Sequence, residues 1–258
     1  MKLWENGTPL YNEEYGQPET ELQLYLLEGA ERRGCIVVCP GGGYGSLAGH
    51  EAEPFARMFN AAGYHAVVLR YRCAPYKHPC QLLDVQRAIR TVRYNAEKWH
   101  VKPNGIAVCG SSAGGHLALM AAEHYDGGLM DGDEIDAVSS RPDPAILCYA
   151  VSTLGEYTHG GTRRNLTGDD PELCEKLTGE KNIPDDCPPM FIWHTAEDGA
   201  VPVQNALIMG MKLKEKDIPF ELHIFPEGPH GVALFYNEYP YPTKWAELCV
   251  NWLRHINF

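Results

Sequence analysis

Along the chain, short runs that are apolar at nearly every position alternate with longer segments whose apolar residues recur every three or four positions. The runs at 35–39 (CIVVC), 65–71 (HAVVLRY), 105–110 (GIAVCG), 145–151 (AILCYAV), 190–195 (MFIWHT) and 220–225 (FELHIF) predict strands. Most lack the polar alternation of a half-exposed strand, which predicts a parallel sheet covered on both faces. From Pro79 onward, Leu82, Val85, Ile89, Val92 and Ala96 fall on one face of a helix. Helices are also expected at 53–62, 113–125, 203–215 and 243–255. This alternation implies an α/β fold, a mostly parallel sheet flanked by helices on both faces, with the whole of 1–258 forming a single domain. Two stretches depart from the pattern. Residues 1–30 read as an N-terminal extension whose segment 21–27 adds an edge strand, and 152–188, rich in Gly, Thr, Asp, Arg and Pro, reads as an insertion or small cap.

Composition narrows the function classes. Apolar residues are 44% of the 258, enough for a sizeable core. The net charge is −12 and no Lys/Arg cluster interrupts it, which argues against a nucleic acid partner and against an anionic membrane surface. The opening MKLWENGTPLYNEEYG lacks the apolar core of a signal peptide, and no apolar run approaches bilayer length, so a cytoplasmic protein is expected. The nine cysteines form no CxxC pair, and Cys35, Cys39, Cys109 and Cys148 sit inside buried runs. They read as reduced core thiols. No His/Cys cluster has metal-ligand spacing, and neither a metal nor an organic cofactor is expected.

The candidate chemistry lies at the ends of the expected strands. Residues 110–114 (GSSAG) match G-x-S-x-G with Ser112 at the centre, after an apolar strand and before an Ala/Leu/Met helix. That is the setting of a nucleophile elbow, in which the flanking glycines avoid backbone clashes. Ser111 lacks this spacing and reads as a packed residue. CPGGGYG (39–45) follows the first parallel strand, and no G-K-[ST] follows it, so a Walker loop is excluded. It fits an oxyanion loop, with the amides of Gly42, Gly43 and Ala113 as donors and Pro40 where a histidine is usual. HTAEDGAVP (194–202) offers Asp198 as the orienting acid, with Glu197 as the alternative. FPEGPHG (225–231) offers His230 as the base, whereas His223 lies within a strand. The resulting order Ser112, Asp198, His230 is that of α/β-hydrolases.

With these pieces placed, the chain resembles the α/β-hydrolase esterase/lipase superfamily. Within it, PGGGY, HEAEPFARMFNAAGY, GSSAGGHLA, HTAEDGAVPVQN and ELHIFPEGPHG are similar to bacterial acetyl esterases related to acetylxylan esterase. The resemblance implies a serine esterase with the triad Ser112, Asp198 and His230. Its implied substrate is a small-molecule ester with a short acyl group, on a sugar such as an acetylated xylo-oligosaccharide. EGPHG and VPVQN depart slightly from the family pattern, without touching the triad positions. Glu51 and Glu53 read as acids opposing a helix dipole, Arg141 and Pro142 as structural, and Tyr44 as a substrate contact. An arylformamidase is the alternative activity, disfavoured by Pro40. A non-catalytic binder on a hydrolase scaffold is disfavoured by the complete triad. The Tyr-rich loop 233–242 reads either as a sugar-stacking wall or as a subunit contact, which would allow a homo-oligomer.

Overall fold

The computed structural model of the chain describes residues 1–130 and 132–258. The apolar runs form one sheet of seven strands: β1 (Glu21–Tyr25), β2 (Arg33–Cys39), β3 (His65–Arg70), β4 (Val101–Ser111), β5 (Ala145–Cys148), β6 (Met190–Thr195) and β7 (Phe220–Phe225). Their spatial order is β1-β3-β2-β4-β5-β6-β7. β1 pairs antiparallel with β3 at the edge, and the other pairings are parallel.

Successive side chains of the central strands enter different layers. Val37 and Val108 join one core, while Ile36, Val38 and Cys109 join the other. The first layer is built by α2 (Cys80–Tyr94), α3 (Ser112–Glu123) and α6 (Gln204–Glu215), the second by α1 (Glu53–Ala61) and α7 (Trp245–His255). Both faces of the sheet are therefore buried, which is why these strands carry no polar alternation. In α7, Trp245, Cys249, Trp252 and Leu253 form the buried stripe expected of an amphipathic helix. Trp245 stacks on Trp193 at 5.0 Å and satisfies its indole N–H by donating to Ala233 O at 2.8 Å. On the opposite face, the buried Arg72 guanidinium meets Asp84 through bonds of 2.8 and 2.9 Å, and Trp4 Nε1 donates to the same carboxylate at 3.1 Å. This forked pair clamps the N-terminal segment and the chain after β3 onto α2.

Element ends differ from expectation for local reasons. The strand expected at 145–151 stops at Cys148, because Tyr149 adopts φ +36° and turns the chain out of the sheet. β4 begins four residues earlier than the run at 105–110 suggests, since Val101 pairs with Arg33. The segment 152–188 folds into α4 (Gly160–Thr167), α5 (Pro171–Lys176) and a short 3-10 turn. It is tied to the loops at the carboxyl ends of the strands and to α6: Asn165 Nδ2 donates to Gly43 O at 2.9 Å, and Ser152 N to Asn205 Oδ1 at 2.8 Å. The nine cysteines are free, and all but Cys174 are buried. Among the described residues no helix is long and apolar enough to cross a membrane.

Candidate active site

β4 delivers Ser112 into the cleft through a turn that only small residues allow. Ser112 has φ +54°, a left-handed conformation that costs a non-glycine residue energy and persists only where packing enforces it. Packing is that tight here. A Cβ on Gly110 would lie 2.0 Å from Gly114 O, and one on Gly114 would lie 2.1 Å from Cys39 O. The two glycines thus let α3 start against the end of β2.

The loops after β6 and β7 bring Asp198 and His230 to this serine. His230 Nε2 lies 2.8 Å from Ser112 Oγ, and His230 Nδ1 lies 2.6 Å from Asp198 Oδ2. Asp198 is acceptor-only, so Nδ1 carries the proton and Nε2 is free to accept from Oγ–H. The other Asp198 oxygen accepts from the amides of Ala200 and Val201 at 2.9 and 2.8 Å. Burial alone would raise the Asp198 carboxyl, but hydrogen bonds from His194 and His230, the His230 charge and the Val201 amide outweigh it and hold it well below the usual carboxylate range. Glu197 accepts instead from Gly228 N at 3.3 Å, and His223 pairs with Glu221 at 2.7 Å. Neither alternative meets the serine.

The glycine loop after β2 lies beside the elbow. Gly42 and Gly43 have φ +123° and +62°, and among the described residues their amides donate to no protein group. Ala113 N, in the first turn of α3, is one of the amides a helix leaves without an internal acceptor. These three N–H groups and the positive end of α3 suit a developing oxyanion.

Two expectations are corrected at this loop. Tyr44 is not a wall of the cleft: its side chain is fully buried, edge-on to Tyr71, with its hydroxyl 2.9 Å from His116 Nδ1. Its backbone φ of +58° turns the ring inward. Glu51 sits just before α1, but its carboxylate serves groups other than the helix dipole. It is 3% exposed, and Oε2 accepts from Gly41 N at 2.6 Å while Oε1 accepts from Tyr149 OH at 2.7 Å. The Tyr149 ring in turn packs edge-on to His230 at 5.2 Å. Glu53 does fit the dipole reading, in the first turn of α1 and paired with Arg57.

Ser112 and His230 open into a cavity of about 450 Å³, whose other walls include Gly42, Gly43, His50, His159 and Phe235. His50 and Phe235 stack at 5.4 Å, an aromatic surface beside the serine. Of the loop 233–242, Phe235 is thus the residue that reaches the cleft. A larger cavity of about 580 Å³, between the 152–188 segment and α6, contains none of the triad residues. His50, in a short 3-10 turn, and His159, at a helix cap, escape sequence reasoning because no spacing marks them, whereas Phe235 lies in the 233–242 loop that the sequence singles out.

The family model described as BD-FAE matches residues 22–213. The crystal structure of an acetyl ester-xyloside bifunctional hydrolase from Caldicellulosiruptor lactoaceticus superposes with a TM-score of 0.96 at 44% identity, over 100% of this chain and 96% of that one. An endo-1,4-beta-xylanase B of Butyrivibrio fibrisolvens is 37% identical over 244 residues, covering 92% of this chain and 38% of that protein. An acetylxylan esterase of Xylanibacter ruminicola is 28% identical over 246 residues, covering 92% of this chain and 48% of that protein. The chain spans less than half the length of these two curated relatives.

Proposed function

The chain belongs to the BD-FAE family of α/β-hydrolase esterases, and from that premise we propose that it is a serine carboxylesterase removing acetyl groups from carbohydrate esters, acetylated xylo-oligosaccharides in particular. The observation that carries this reading is the continuous relay Oγ–Nε2 at 2.8 Å and Nδ1–Oδ2 at 2.6 Å, set beside three amides free to take an oxyanion. In the reaction Ser112 Oγ attacks the ester carbonyl as His230 takes its proton. Asp198 holds the imidazole tautomer and stabilises the imidazolium. The amides of Gly42, Gly43 and Ala113 receive the oxyanion, a donor of this kind being worth roughly 10²–10³ in rate. The C–O bond to the alcohol then breaks, His230 protonates the leaving oxygen, and water activated by the same histidine releases acetate from the acyl-serine. The sugar half of the reading is supported by the stacked His50/Phe235 surface and by what the similar proteins are: one an acetyl ester-xyloside hydrolase, another an acetylxylan esterase.

The test is acetate release from acetylated xylo-oligosaccharides and from phenyl acetate, with Ser112→Ala as control. Release from both is expected, with kcat in the variant down by on the order of 10⁶. Hydrolysis of phenyl acetate alone would remove the carbohydrate and keep the esterase. Activity that survives Ser112→Ala would remove the serine mechanism.

A further inference from the structure

His159 stands outside the relay, yet it lines the same cleft. It is also the N-cap of α4, a position normally taken by Ser, Thr, Asp or Asn. Its Nδ1 accepts from Thr162 N at 3.2 Å and lies 2.9 Å from Thr162 Oγ1. A backbone amide only donates, so Nδ1 holds a lone pair and the proton of the neutral ring sits on Nε2. Burial first, then the charge of His230, holds the imidazole below its ordinary range, so the ring is neutral near pH 7. Among the described residues Nε2 meets no acceptor, and it is not sealed from solvent. The ring rests over the oxyanion loop: a Cβ on Gly43 would lie 3.6 Å from His159 Cε1.

We propose that the Nε2–H of His159 binds a hydroxyl oxygen of the alcohol half of the ester, so that the cleft selects esters of polyhydroxylated alcohols. This rests on the esterase reading above. An acetyl group offers one acceptor, its carbonyl oxygen, and the Gly42, Gly43 and Ala113 amides take it. Any acceptor for a further donor must therefore come from the alcohol. An uncharged N–H suits an uncharged hydroxyl, and a site built to bond a hydroxyl rejects the analogue that lacks it. Capping by a histidine explains how the donor is fixed: Thr162 N holds the tautomer and the ring plane together.

The experiment compares 1-acetylglycerol with propyl acetate, which share a three-carbon alcohol and differ in hydroxyls, for the wild type and His159→Asn. Asparagine retains an acceptor for Thr162 N and loses the ring N–H. The kcat/KM preference for the hydroxylated ester is expected to fall about tenfold, chiefly through KM. An unchanged preference overturns the proposal, whether both rates fall together or neither moves. His159→Ser, which also keeps a cap, gives the same comparison if the asparagine variant does not fold. A wild type inactive on both esters would sink the esterase reading and this inference with it. An active wild type whose preference ignores the substitution would sink this inference alone.

Discussion

At the scale of the residue, the site depends on side chains outside the triad that brace the catalytic loops. Glu51 links the oxyanion loop, through Gly41 N, to the ring that packs against His230, through Tyr149 OH. Glu51→Ala leaves both buried donors unpaired, each costing about 1–3 kcal/mol. The loosened loop should also lower kcat on phenyl acetate, by roughly the 10² that marks the lower end for losing an oxyanion donor. Glu51→Gln should recover most of both losses. Its carbonyl accepts from Gly41 N, and its amide donates to the Tyr149 hydroxyl, which then acts as acceptor. Steady-state kinetics and thermal unfolding of the two variants check this, and equal damage from Ala and Gln would refute the bonding role. Ser112, Asp198 and His230 are legible in sequence because each follows a strand with a fixed neighbourhood of Gly and Pro. Glu51 is misread because HEAEPF reads as a helix start, and only the tertiary fold reveals that its carboxylate turns inward. Tyr44 is misread for the converse reason, its position beside the glycine loop saying nothing of the direction of its ring.

At the scale of the element, β4 and α3 meet with no room between them, and the glycines at that junction are a steric requirement. Gly114→Ala would put a methyl 2.1 Å from Cys39 O and 2.4 Å from Pro40 O, both backbone atoms. α3 would have to move away from β2, carrying Ser112 and the Ala113 amide with it. A destabilisation of about 1–3 kcal/mol is expected from the overpacking. Because misplacement by about 1 Å can cost 10²-fold, activity should fall further than stability alone explains. Gly127→Ala is the control: a Cβ there meets nothing within 4 Å, and a change within about 0.5 kcal/mol is expected. Urea unfolding alongside phenyl acetate turnover measures both, and near-neutral behaviour of Gly114→Ala would contradict the steric account. The central parallel strands are legible because burial on both faces leaves an unbroken apolar run. The 152–188 segment is legible only as an interruption. α4 and α5 have eight and six residues, too few to show a periodic apolar stripe, and their caps, His159 and Asp170, are local bonds rather than patterns.

At the scale of the whole molecule, two buried groups pull its stability in opposite directions as pH changes. Burial holds His116 down to about 4, against an ordinary 6.5, with Nε2 donating to Leu177 O and Nδ1 accepting from Tyr44 OH. Between those values the unfolded chain binds a proton that the folded chain refuses. Stability is therefore lost as pH falls from 6.5 towards 4, by about 3 kcal/mol in all. Glu123 behaves in the reverse sense. Burial first, then the nearby Glu180, raises its carboxyl well above 4.5, and neither oxygen has a hydrogen-bond partner among the described residues. The folded state keeps a proton that the unfolded state releases, so this contribution is complete below 4.5 and is lost as pH rises through the elevated folded value. The two arms offset each other in the wild type, and single substitutions should separate them. His116→Gln removes the acid-side loss, so its stability should decline less than that of the wild type between about pH 7 and about pH 4.5. Glu123→Gln removes the alkaline-side loss, so its stability relative to the wild type should improve as pH rises over the same interval. Urea unfolding at the two pH values measures both differences. Variants whose profiles run parallel to the wild type would show that neither group changes protonation between the folded and unfolded chain, whereas slopes tilted in opposite directions would assign each arm to its residue.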